Sequence, residues 1–384
     1  MRIVFFEGDL NNAINGFRKE LVNKLSTNGY EVVLVGFRPY DNEFGAIDKT
    51  SIPYQYVDLG KLSSNPIKLI RAFVRLFFLL LKSRPNLCMA FNIRPVLLLG
   101  LINYFLRIPS IATITGTSTI SKGNSLKPIF FFLSSFLLKY YKILFFQNNH
   151  DKFLFSTIEL NGVKVKVVKG SGVDTNSFAK KKCEFDIDNI TRKSDFLLVA
   201  RIIKQKGILE YIESAREIKK KSPQIIFGIL GPFYENSSDS NMISPEYILK
   251  ADREGIIKYF GYSRNVKEFM MASKCIVLPT YGEGMSNTLL EAASLELPIL
   301  ASNVPGCNEI VDHEVTGYLF EKQSTVALVN VLNRFLQLNN EDRVKMGVLG
   351  RKKMITEFEK SIVVASYIEE INSLTTLYTK NSQI

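Results

Sequence analysis

The glycine loop Tyr281–Ser286 contains the residue types best suited to binding an oxygen-rich ligand. Glu283 lies between two glycines of this loop, and Glu291 follows after seven residues, inside a predicted helix from Asn287 to Leu295. An apolar strand pattern precedes the loop, and the N–H groups at a helix N-terminus attract anionic, oxygen-rich ligands. The order of strand, glycine loop and helix therefore predicts a ligand site of the kind found in α/β folds.

A second group of candidate residues follows the predicted strand Phe196–Ala200. Arg201 and Lys206 lie just beyond its carboxyl end, and a forked guanidinium with a compact ammonium would neutralise a diphosphate. A carboxylate accepts two hydroxyl hydrogen bonds at once, so Glu291 suits a ribose diol and Glu283 suits a sugar ring. Each residue alone is more commonly a surface or capping group, and the specificity comes from the glutamate pair in its strand–loop–helix setting.

The elements around these residues alternate between apolar strands and amphipathic helices in both halves of the chain. A helix is predicted from Ala13 to Asn28, ended by Gly29, and others at Pro66–Lys82, Ile208–Lys220 and Ser361–Leu377. Such alternation predicts an α/β fold with parallel sheets. The predicted strands are Ile3–Phe6, Glu31–Gly36, Tyr54–Leu59, Leu87–Phe91, Ile111–Thr115, Ile143–Gln147, Lys164–Val168, Phe196–Ala200, Ile225–Leu230, Ile256–Phe260, Cys275–Pro279 and Pro298–Ala301.

Length and composition indicate two globular domains, because the chain has 384 residues, of which 46% are hydrophobic and 22% charged. The four cysteines show no Cys-x-x-Cys spacing, so free thiols in a reducing compartment are expected, with no disulfide framework or zinc site. The N-terminus leads directly into a strand without a signal-peptide pattern, and no apolar run of 18 residues lacks charge. These features predict a cytoplasmic protein.

The net charge of +12 is concentrated in the first half, where residues 59–150 contain twelve basic residues and no acidic one. Within this window, Lys68, Arg71, Arg75 and Lys82 fall within about 60° of one another on a predicted helix that is otherwise almost entirely apolar. Such a helix either packs on the sheet with a solvated basic face or meets anionic lipid headgroups. The sequence leaves both alternatives open, and no stacking-rich basic module points to nucleic acid.

With these residues in place, the chain resembles the retaining GT-B glycosyltransferases of family 4, in the branch that builds bacterial O-antigen, capsule and glycoprotein glycans on a lipid carrier. The resemblance rests on motifs spread over most of the chain. They are Thr113–Gly116, Phe146–Asn148, Gly170–Asp174, Val199–Arg201 with Lys206–Gly207, Leu278–Tyr281, the Glu283/Glu291 pair, Val304–Glu309 and Val315–Leu319.

The resemblance implies two Rossmann-like domains that face each other across a cleft. The implied ranges are 1–178 for the acceptor domain, 179–360 for the nucleotide-sugar domain and 361–384 for a helix that packs back on the first domain. It implies retention of anomeric configuration by front-face attack, assisted by the leaving phosphate, without a metal or other cofactor.

The resemblance also implies roles for particular residues. Arg201 and Lys206 would bind the donor diphosphate, Glu291 the ribose and Glu283 the transferred sugar. The remaining donor-site residues would be Gly284, Met285, Ser286, Asn287 and Thr288 in the pocket, partly through their backbone, with Gly172 and Gly16 beside the cleft. Lys68, Arg71, Arg75 and Lys82 would form a membrane or acceptor face.

The sequence departs from this branch at Ser286-Asn287, where Pro-Arg is often found, and this leaves the donor sugar open. Many family members also carry a histidine near the acceptor, whereas Thr115-Gly116 stands at that position here and His150 is the only histidine of the first half.

The resulting expectation is a transferase that moves a hexose or N-acetylhexosamine from a nucleotide sugar to a polyprenyl-diphosphate-linked saccharide. UDP-GalNAc, UDP-GlcNAc or UDP-Gal is the expected donor. The protein is expected to be peripheral on the inner face of the bacterial plasma membrane. Two alternatives are a nucleotide-sugar epimerase of the same fold and a non-catalytic membrane-surface scaffold. The scarcity of histidines argues against the first, and intact Arg201, Lys206, Glu283 and Glu291 argue against the second.

Overall fold

The computed structural model describes residues 1–37, 51–57, 66–116, 127–180, 194–233 and 241–381, with the backbone alone for 57, 66, 67, 127–130 and 376–381. The chain forms two compact units, Met1–Ser171 with Lys360–Ile384 and Gly172–Glu359. The sequence had predicted boundaries at 178/179 and 360/361, and the structure divides the chain at 171/172 and 359/360. Each unit is built around one parallel sheet.

The first unit contains a seven-stranded sheet in the order β3-β2-β1-β4-β5-β6-β7, with every pair parallel. Strands β4, β5 and β6 are buried along their whole length and β1 from its second residue onward, as expected of apolar strands covered on both faces. The strands are β1 Arg2–Glu7, β2 Glu31–Phe37, β3 Tyr54–Val57, β4 Leu87–Phe91, β5 Ser110–Ile114, β6 Ile143–Phe146 and β7 Lys164–Val167. The helices are α1 Leu10–Ile14, α2 Lys19–Thr27, α3 Pro66–Ser83, α4 Ile93–Leu106, α5 Lys127–Leu138, α6 Asn149–Leu154 and, at the end of the chain, α13 Lys360–Asn381.

The second unit contains a six-stranded sheet in the order β10-β9-β8-β11-β12-β13, again parallel throughout. Apolar clusters cover both faces of the sheet. The strands are β8 Ser194–Val199, β9 Phe227–Leu230, β10 Lys258–Tyr259, β11 Ser273–Leu278, β12 Ile299–Ser302 and β13 Gly317–Phe320. The helices are α7 Ile208–Lys219, α8 Pro245–Arg253, α9 Val266–Met271, α10 Asn287–Ser294, α11 Thr325–Gln337 and α12 Asn340–Lys353. The predicted α/β class with parallel sheets is confirmed.

Both sheets reverse their strand order at one point. In the first sheet the chain builds outward from β1 on one side and from β4 on the other, and in the second sheet from β8 and β11. Such topological switch points open a crevice beyond the carboxyl ends of the two strands, where open α/β sheets bind their ligands. Polar side chains that bind a ligand are therefore expected at the carboxyl ends of β1 and β4 and of β8 and β11.

The predicted continuous helix Ala13–Asn28 is wrong, because the segment forms two helices separated by a turn at 15–18. Asp9 caps α1, and the helix ends at Asn15, with Gly16 in the turn that follows. Asparagine and glycine have low helix propensity, which accounts for the break at this point. The buried face of the second helix is formed by Leu21, Val22 and Leu25.

The structure also bears on the predictions about the cysteines and about membrane-spanning helices. Cys88, Cys275 and Cys307 are buried free thiols, as predicted, and burial raises the pKa of each. Cys183 lies outside the described residues. Among the described helices, none combines the length and apolar character needed to cross a bilayer.

Candidate active site

The segment after β8 carries Arg201 and Lys206, and it lies directly against the end of β11. Lys204–Lys206 forms a single 3₁₀ turn that ends at Gly207, whose φ of +71° belongs to the left-handed region. A Cβ atom at Gly207 would lie 2.0 Å from the Pro279 carbonyl oxygen, so only glycine allows this approach. The glycine therefore holds the basic turn next to the loop that follows β11.

Gly207→Ala is expected to destabilise the second unit, because the added methyl group pushes the basic turn away from Pro279. Gly255→Ala is the matched control, since Gly255 has nearly the same φ of +69° but no neighbour within 4 Å of the place a Cβ atom would take. Thermal melting of both variants separates backbone strain from the steric clash. Equal losses in the two variants would show that close packing at Gly207 is unimportant.

Hydrogen bonds join the two loops at the β8/β11 switch point. The Tyr281 N–H donates to the Gln205 carbonyl oxygen over 2.9 Å, and the Thr280 hydroxyl donates to the same oxygen over 3.2 Å. The Tyr281 hydroxyl in turn donates to Glu210 on α7 over 2.6 Å, and burial with this hydrogen bond raises its pKa. The position of the basic turn relative to the glycine loop is therefore fixed on both sides.

Lys206 and Glu283 meet in an ion pair at this switch point, with 2.5 Å between Nζ and Oε1. Their side chains are 20% and 13% exposed, so the pair is shielded from bulk water but remains accessible to a ligand. An ammonium has three N–H donors and a carboxylate has a second oxygen, so both groups keep hydrogen-bonding capacity beyond the pair. The arrangement can bind a phosphate oxygen and a hydroxyl group side by side.

A third loop, after β12, supports the loop that contains Glu283. Gly306 (φ +79°) packs so closely that a Cβ atom there would lie 2.8 Å from the Glu283 Cβ atom. Its carbonyl oxygen accepts the Ser286 N–H over 3.1 Å, and its own N–H donates to Glu309 Oε2 over 2.6 Å. The Val304–Glu309 motif contributed to the resemblance, but its function as a support for the glycine loop emerges only from these contacts.

The remaining residues predicted for the donor pocket lie on the loop and on α10. The Ser286 N–H donates to the Gly306 carbonyl oxygen and the Ser286 side chain caps α10, while its place in the donor pocket stays a prediction. Thr288 donates its hydroxyl to the Val199 carbonyl oxygen over 3.5 Å, and Met285 is buried in the core. The loop also contains buried Gly284, and α10 contains half-buried Asn287 and Glu291.

Three other residues predicted for the donor site belong to other segments of the chain. Arg201 is exposed in the segment immediately after β8. Gly172 is buried with a φ of +69° and is the first residue of the second unit. Gly16 belongs to the first unit, in the turn between α1 and α2. Their predicted contacts with the donor stay predictions.

A buried polar network at the β1/β4 switch point was missed by the sequence reasoning. Glu7, at the end of β1, is fully buried and accepts hydrogen bonds from Arg18 Nε, from Asn92 Nδ2 and from the Gly8 N–H. Thr115 donates its hydroxyl to Asn92 Oδ1 over 2.5 Å. Burial raises the pKa of the Glu7 carboxyl, and the Arg18 guanidinium opposes that shift.

The network fixes the strand ends of the first sheet. Asn92 adopts a φ of 70° and a ψ of 151°, a backbone conformation that is nearly restricted to glycine and costs about 1–3 kcal/mol. Arg18 also lies over the Phe91 ring, 4.2 Å from its centroid. The one signal in the sequence was an acidic residue at the end of the apolar run Ile3–Phe6, where a charge has to be paired if it is buried.

The predicted basic stripe lies on α3, where Arg71, Arg75 and Lys82 are exposed and Lys68 is half-buried. Within the described ranges, no group of three histidine, cysteine, aspartate or glutamate side chains converges as a metal site requires. The expectation of metal-independent chemistry stays a prediction.

Comparison with known proteins gives these sites a family context. Residues 180–353 match the family model described as "Glycosyl transferases group 1". Relatives include the capsular polysaccharide biosynthesis glycosyltransferase CapM of Staphylococcus aureus, which is 27% identical over 54% of this chain and 55% of its own length. A second relative is the UDP-Gal:alpha-D-GlcNAc-diphosphoundecaprenol alpha-1,3-galactosyltransferase of Escherichia coli, which is 28% identical over 56% of each chain. The chain thus spans little more than half the length of these curated relatives.

Solved structures match over almost the whole chain. Sucrose-phosphate synthase from Thermosynechococcus elongatus superposes with a TM-score of 0.79 over 98% of this chain and 100% of that chain, at 15% identity. Anabaena HepE in complex with UDP gives a TM-score of 0.77 over 97% and 100%, at 14% identity. At this level of identity the match establishes the fold alone. It confirms the predicted GT-B class, an α/β fold with two parallel sheets.

Proposed function

Since residues 180–353 form a glycosyltransferase group 1 domain, we propose that the chain is a retaining glycosyltransferase that uses a nucleotide-sugar donor. The observation that carries the proposal is the Lys206–Glu283 ion pair at the β8/β11 switch point of that domain. A cation suited to the diphosphate and a carboxylate suited to the sugar hydroxyls lie 2.5 Å from each other, so one site can bind both parts of a nucleotide sugar.

The proposed chemistry divides the donor between named groups. Lys206 and Arg201 neutralise the diphosphate, whose negative charge grows as the bond to the sugar breaks, so that their interaction is strongest in the transition state. Glu283 accepts hydroxyl hydrogen bonds from the transferred sugar, and Glu291 accepts those of the ribose. The acceptor hydroxyl attacks the anomeric carbon from the face of the leaving diphosphate, the bond to the diphosphate breaks and the diphosphate takes up the hydroxyl proton, so the anomeric configuration is retained.

We further propose that the donor is UDP-GalNAc, UDP-GlcNAc or UDP-Gal and that the acceptor is a polyprenyl-diphosphate-linked saccharide of surface-polysaccharide or glycoprotein-glycan assembly. Two relatives support this choice by name. The Escherichia coli relative is a galactosyltransferase for a GlcNAc-diphosphoundecaprenol acceptor. The Campylobacter jejuni relative, 22% identical over 65% of each chain, is an N-acetylgalactosaminyltransferase for a diacetylbacillosaminyl-diphospho-undecaprenol acceptor.

A donor panel tests the proposal directly. Purified protein is incubated with each UDP- and GDP-sugar, with and without GlcNAc-diphosphoundecaprenol, and the products are read by mass spectrometry. Acceptor-dependent release of UDP with growth of the lipid-linked glycan is the expected result. Conversion of a nucleotide sugar to its epimer would favour the epimerase alternative, and absence of any donor turnover would favour a non-catalytic scaffold.

We propose, from the proposed acceptor, that the enzyme acts at the inner face of the bacterial plasma membrane, and the basic stripe on α3 supports docking there. Each basic residue near an anionic surface contributes about 1 kcal/mol, so losing three of them and adding three repelling charges should weaken binding by at least about two orders of magnitude. The Lys68→Glu/Arg71→Glu/Arg75→Glu variant is therefore expected to lose sedimentation with anionic vesicles while keeping its affinity for UDP.

Three exposed lysines of the second unit give the matched control. Lys221→Glu/Lys322→Glu/Lys352→Glu changes the net charge by the same amount but leaves α3 intact, and should sediment like the wild type. If both triple variants lose binding equally, net charge and not the α3 stripe controls docking.

A further inference from the structure

Helix α3 leaves a large part of its apolar surface exposed to solvent. Ala72, Leu76 and Leu80 are its fully buried side chains among the residues described. Five large apolar side chains on the same helix are exposed, namely Leu69, Ile70, Val74, Phe78 and Leu81. Of the two interpretations left open by the sequence, packing on the sheet therefore accounts for only part of the helix surface, with Phe73, Phe77 and Leu79 half-buried against the same core. The remaining apolar surface faces outward and requires another explanation.

Aromatic rings continue this exposed surface across the two following helices. Phe105 of α4 contacts Phe73 and Phe77 of α3, each with 6.3 Å between ring centroids. Tyr104 of α4 contacts Phe136 of α5 at 5.7 Å. We refer to the whole surface as the aromatic platform, which comprises Phe73, Phe77, Phe78, Tyr104, Phe105, Phe132, Phe136 and Tyr140.

Several rings of the aromatic platform are more than half exposed to solvent. Phe132 is 72% exposed, Phe78 60% and Phe105 57%. Apolar side chains scattered singly on a surface are normal, whereas a contiguous patch on three helices marks an interaction surface. Phenylalanine has no polar atom with which to compensate contact with water, so the surface is better satisfied when it is covered.

The charges around the aromatic platform identify what covers it. Arg71, Arg75, Lys82, Arg107 and Lys139 are exposed on its three helices and their ends, and residues 59–150 contain no acidic residue. Lys139 lies over the rings of Phe136 and Tyr140, with its ammonium 4.4 Å and 5.5 Å from their centroids. An apolar surface combined with cations matches the interface of an anionic bilayer, where phosphate headgroups lie above acyl chains. Nucleic acid would satisfy the cations but not the apolar side chains.

We propose that the aromatic platform inserts its side chains into the headgroup and acyl-chain boundary of an anionic bilayer, so that the protein is held by apolar burial as well as by charge. This inference rests on the proposed docking of the enzyme at a membrane and extends it from α3 to α4 and α5. The helices lie in the interface, about 5–10 Å deep, as amphipathic membrane-surface helices do. Docking by the basic stripe alone would leave these rings in water.

Tryptophan reporters test insertion directly, because the chain contains no tryptophan. Full-length Phe78→Trp and Phe132→Trp proteins are mixed with phosphatidylcholine–phosphatidylglycerol vesicles in which a fraction of the acyl chains is brominated. Insertion predicts a blue shift of the emission and quenching by the brominated chains. Phe153→Trp is the matched control, since Phe153 is also 72% exposed in the first unit but lies on α6, outside the aromatic platform.

The possible results separate this inference from the proposed function. Quenching at positions 78 and 132 without quenching at 153 supports it. Co-sedimentation with vesicles but no quenching at 78 and 132 overturns insertion while leaving docking by charge intact. Failure of the wild type to bind any vesicle overturns both, and the donor panel then tests transfer separately. A blue shift without vesicles, accompanied by dimerisation in sedimentation equilibrium, would instead assign the surface to a second copy of the chain.

Salt provides a second measurement that does not depend on tryptophan. Binding to anionic vesicles in 0.5 M NaCl, where charge attraction is strongly screened, should persist in the wild type. Phe78→Ser and Phe132→Ser should each weaken this residual binding by about tenfold, because each removes one inserted ring, and Phe153→Ser should not. Complete loss of wild-type binding in high salt would contradict insertion.

Discussion

The Lys206→Ala protein is expected to fold normally and to lose glycosyl transfer by about two to three orders of magnitude in kcat. The ammonium of Lys206 is fixed at the β8/β11 switch point by Glu283, next to the position proposed for the leaving diphosphate. Removing one preorganised group that stabilises developing charge typically costs a factor of about 10²–10³. Nucleotide release with the best donor of the panel measures the loss.

Lys204→Ala is the matched control for this prediction. Lys204 belongs to the same 3₁₀ turn but is exposed, and it is expected to keep its activity within a factor of about two. Glu283→Gln keeps the shape of the second partner and removes its charge, so it should lower transfer without unfolding the chain. Full activity of Lys206→Ala would overturn the assignment of the site.

Arg18→Met is expected to cost about 3–5 kcal/mol of the unfolding free energy of the first unit, because it leaves the buried Glu7 carboxylate without its counter-charge. The variant also loses the contact of the guanidinium with the Phe91 ring. Urea unfolding followed by circular dichroism measures the loss. The deficit should be smaller at pH 5 than at pH 8, because Arg18 lowers the pKa of the buried Glu7 carboxyl, and without it the carboxyl takes up a proton more readily and leaves no unpaired charge.

Two further variants show whether the loss comes from the unpaired charge. The double variant Glu7→Gln/Arg18→Met has no charge left in the network and should be more stable than Arg18→Met alone. Arg2→Met breaks the Arg2–Glu31 pair, whose side chains are 38% and 55% exposed, and should have a much smaller effect. Equal losses from Arg18→Met and Arg2→Met would exclude a special role for the buried pair.

The sequence predicted the fold well because fully buried parallel strands are continuous apolar runs. Leu87–Phe91 has the predicted bounds, and most other strands shift by one or two residues. The turn between α1 and α2 was missed because Phe17, Leu21 and Leu25 keep a helical spacing across it. Strand β13, Gly317–Phe320, was missed because four residues with a glycine carry little periodic signal.

The candidate site was predictable residue by residue but not as an assembly. Lys206 and Glu283 could be selected because each follows a buried strand, yet their contact depends on β8 lying beside β11, which are not consecutive along the chain. The Glu7 network has the same character, since Asn92 is 85 residues away from Glu7 along the chain. Such pairs are determined by strand order, which local patterns do not contain.

Helix α13 determines the order in which the two units can complete their folding during synthesis. Its side chains Val363, Tyr367 and Ile371 complete the apolar core on one face of the first sheet, and buried Glu370 binds Lys164 and Lys166 of β7. All of Gly172–Glu359 is translated between that sheet and this helix. The second unit is therefore contiguous and can fold on the ribosome, whereas the nascent first unit keeps an uncovered apolar face until the helix emerges. Chaperone dependence is accordingly expected to belong to the part of the protein that is made first.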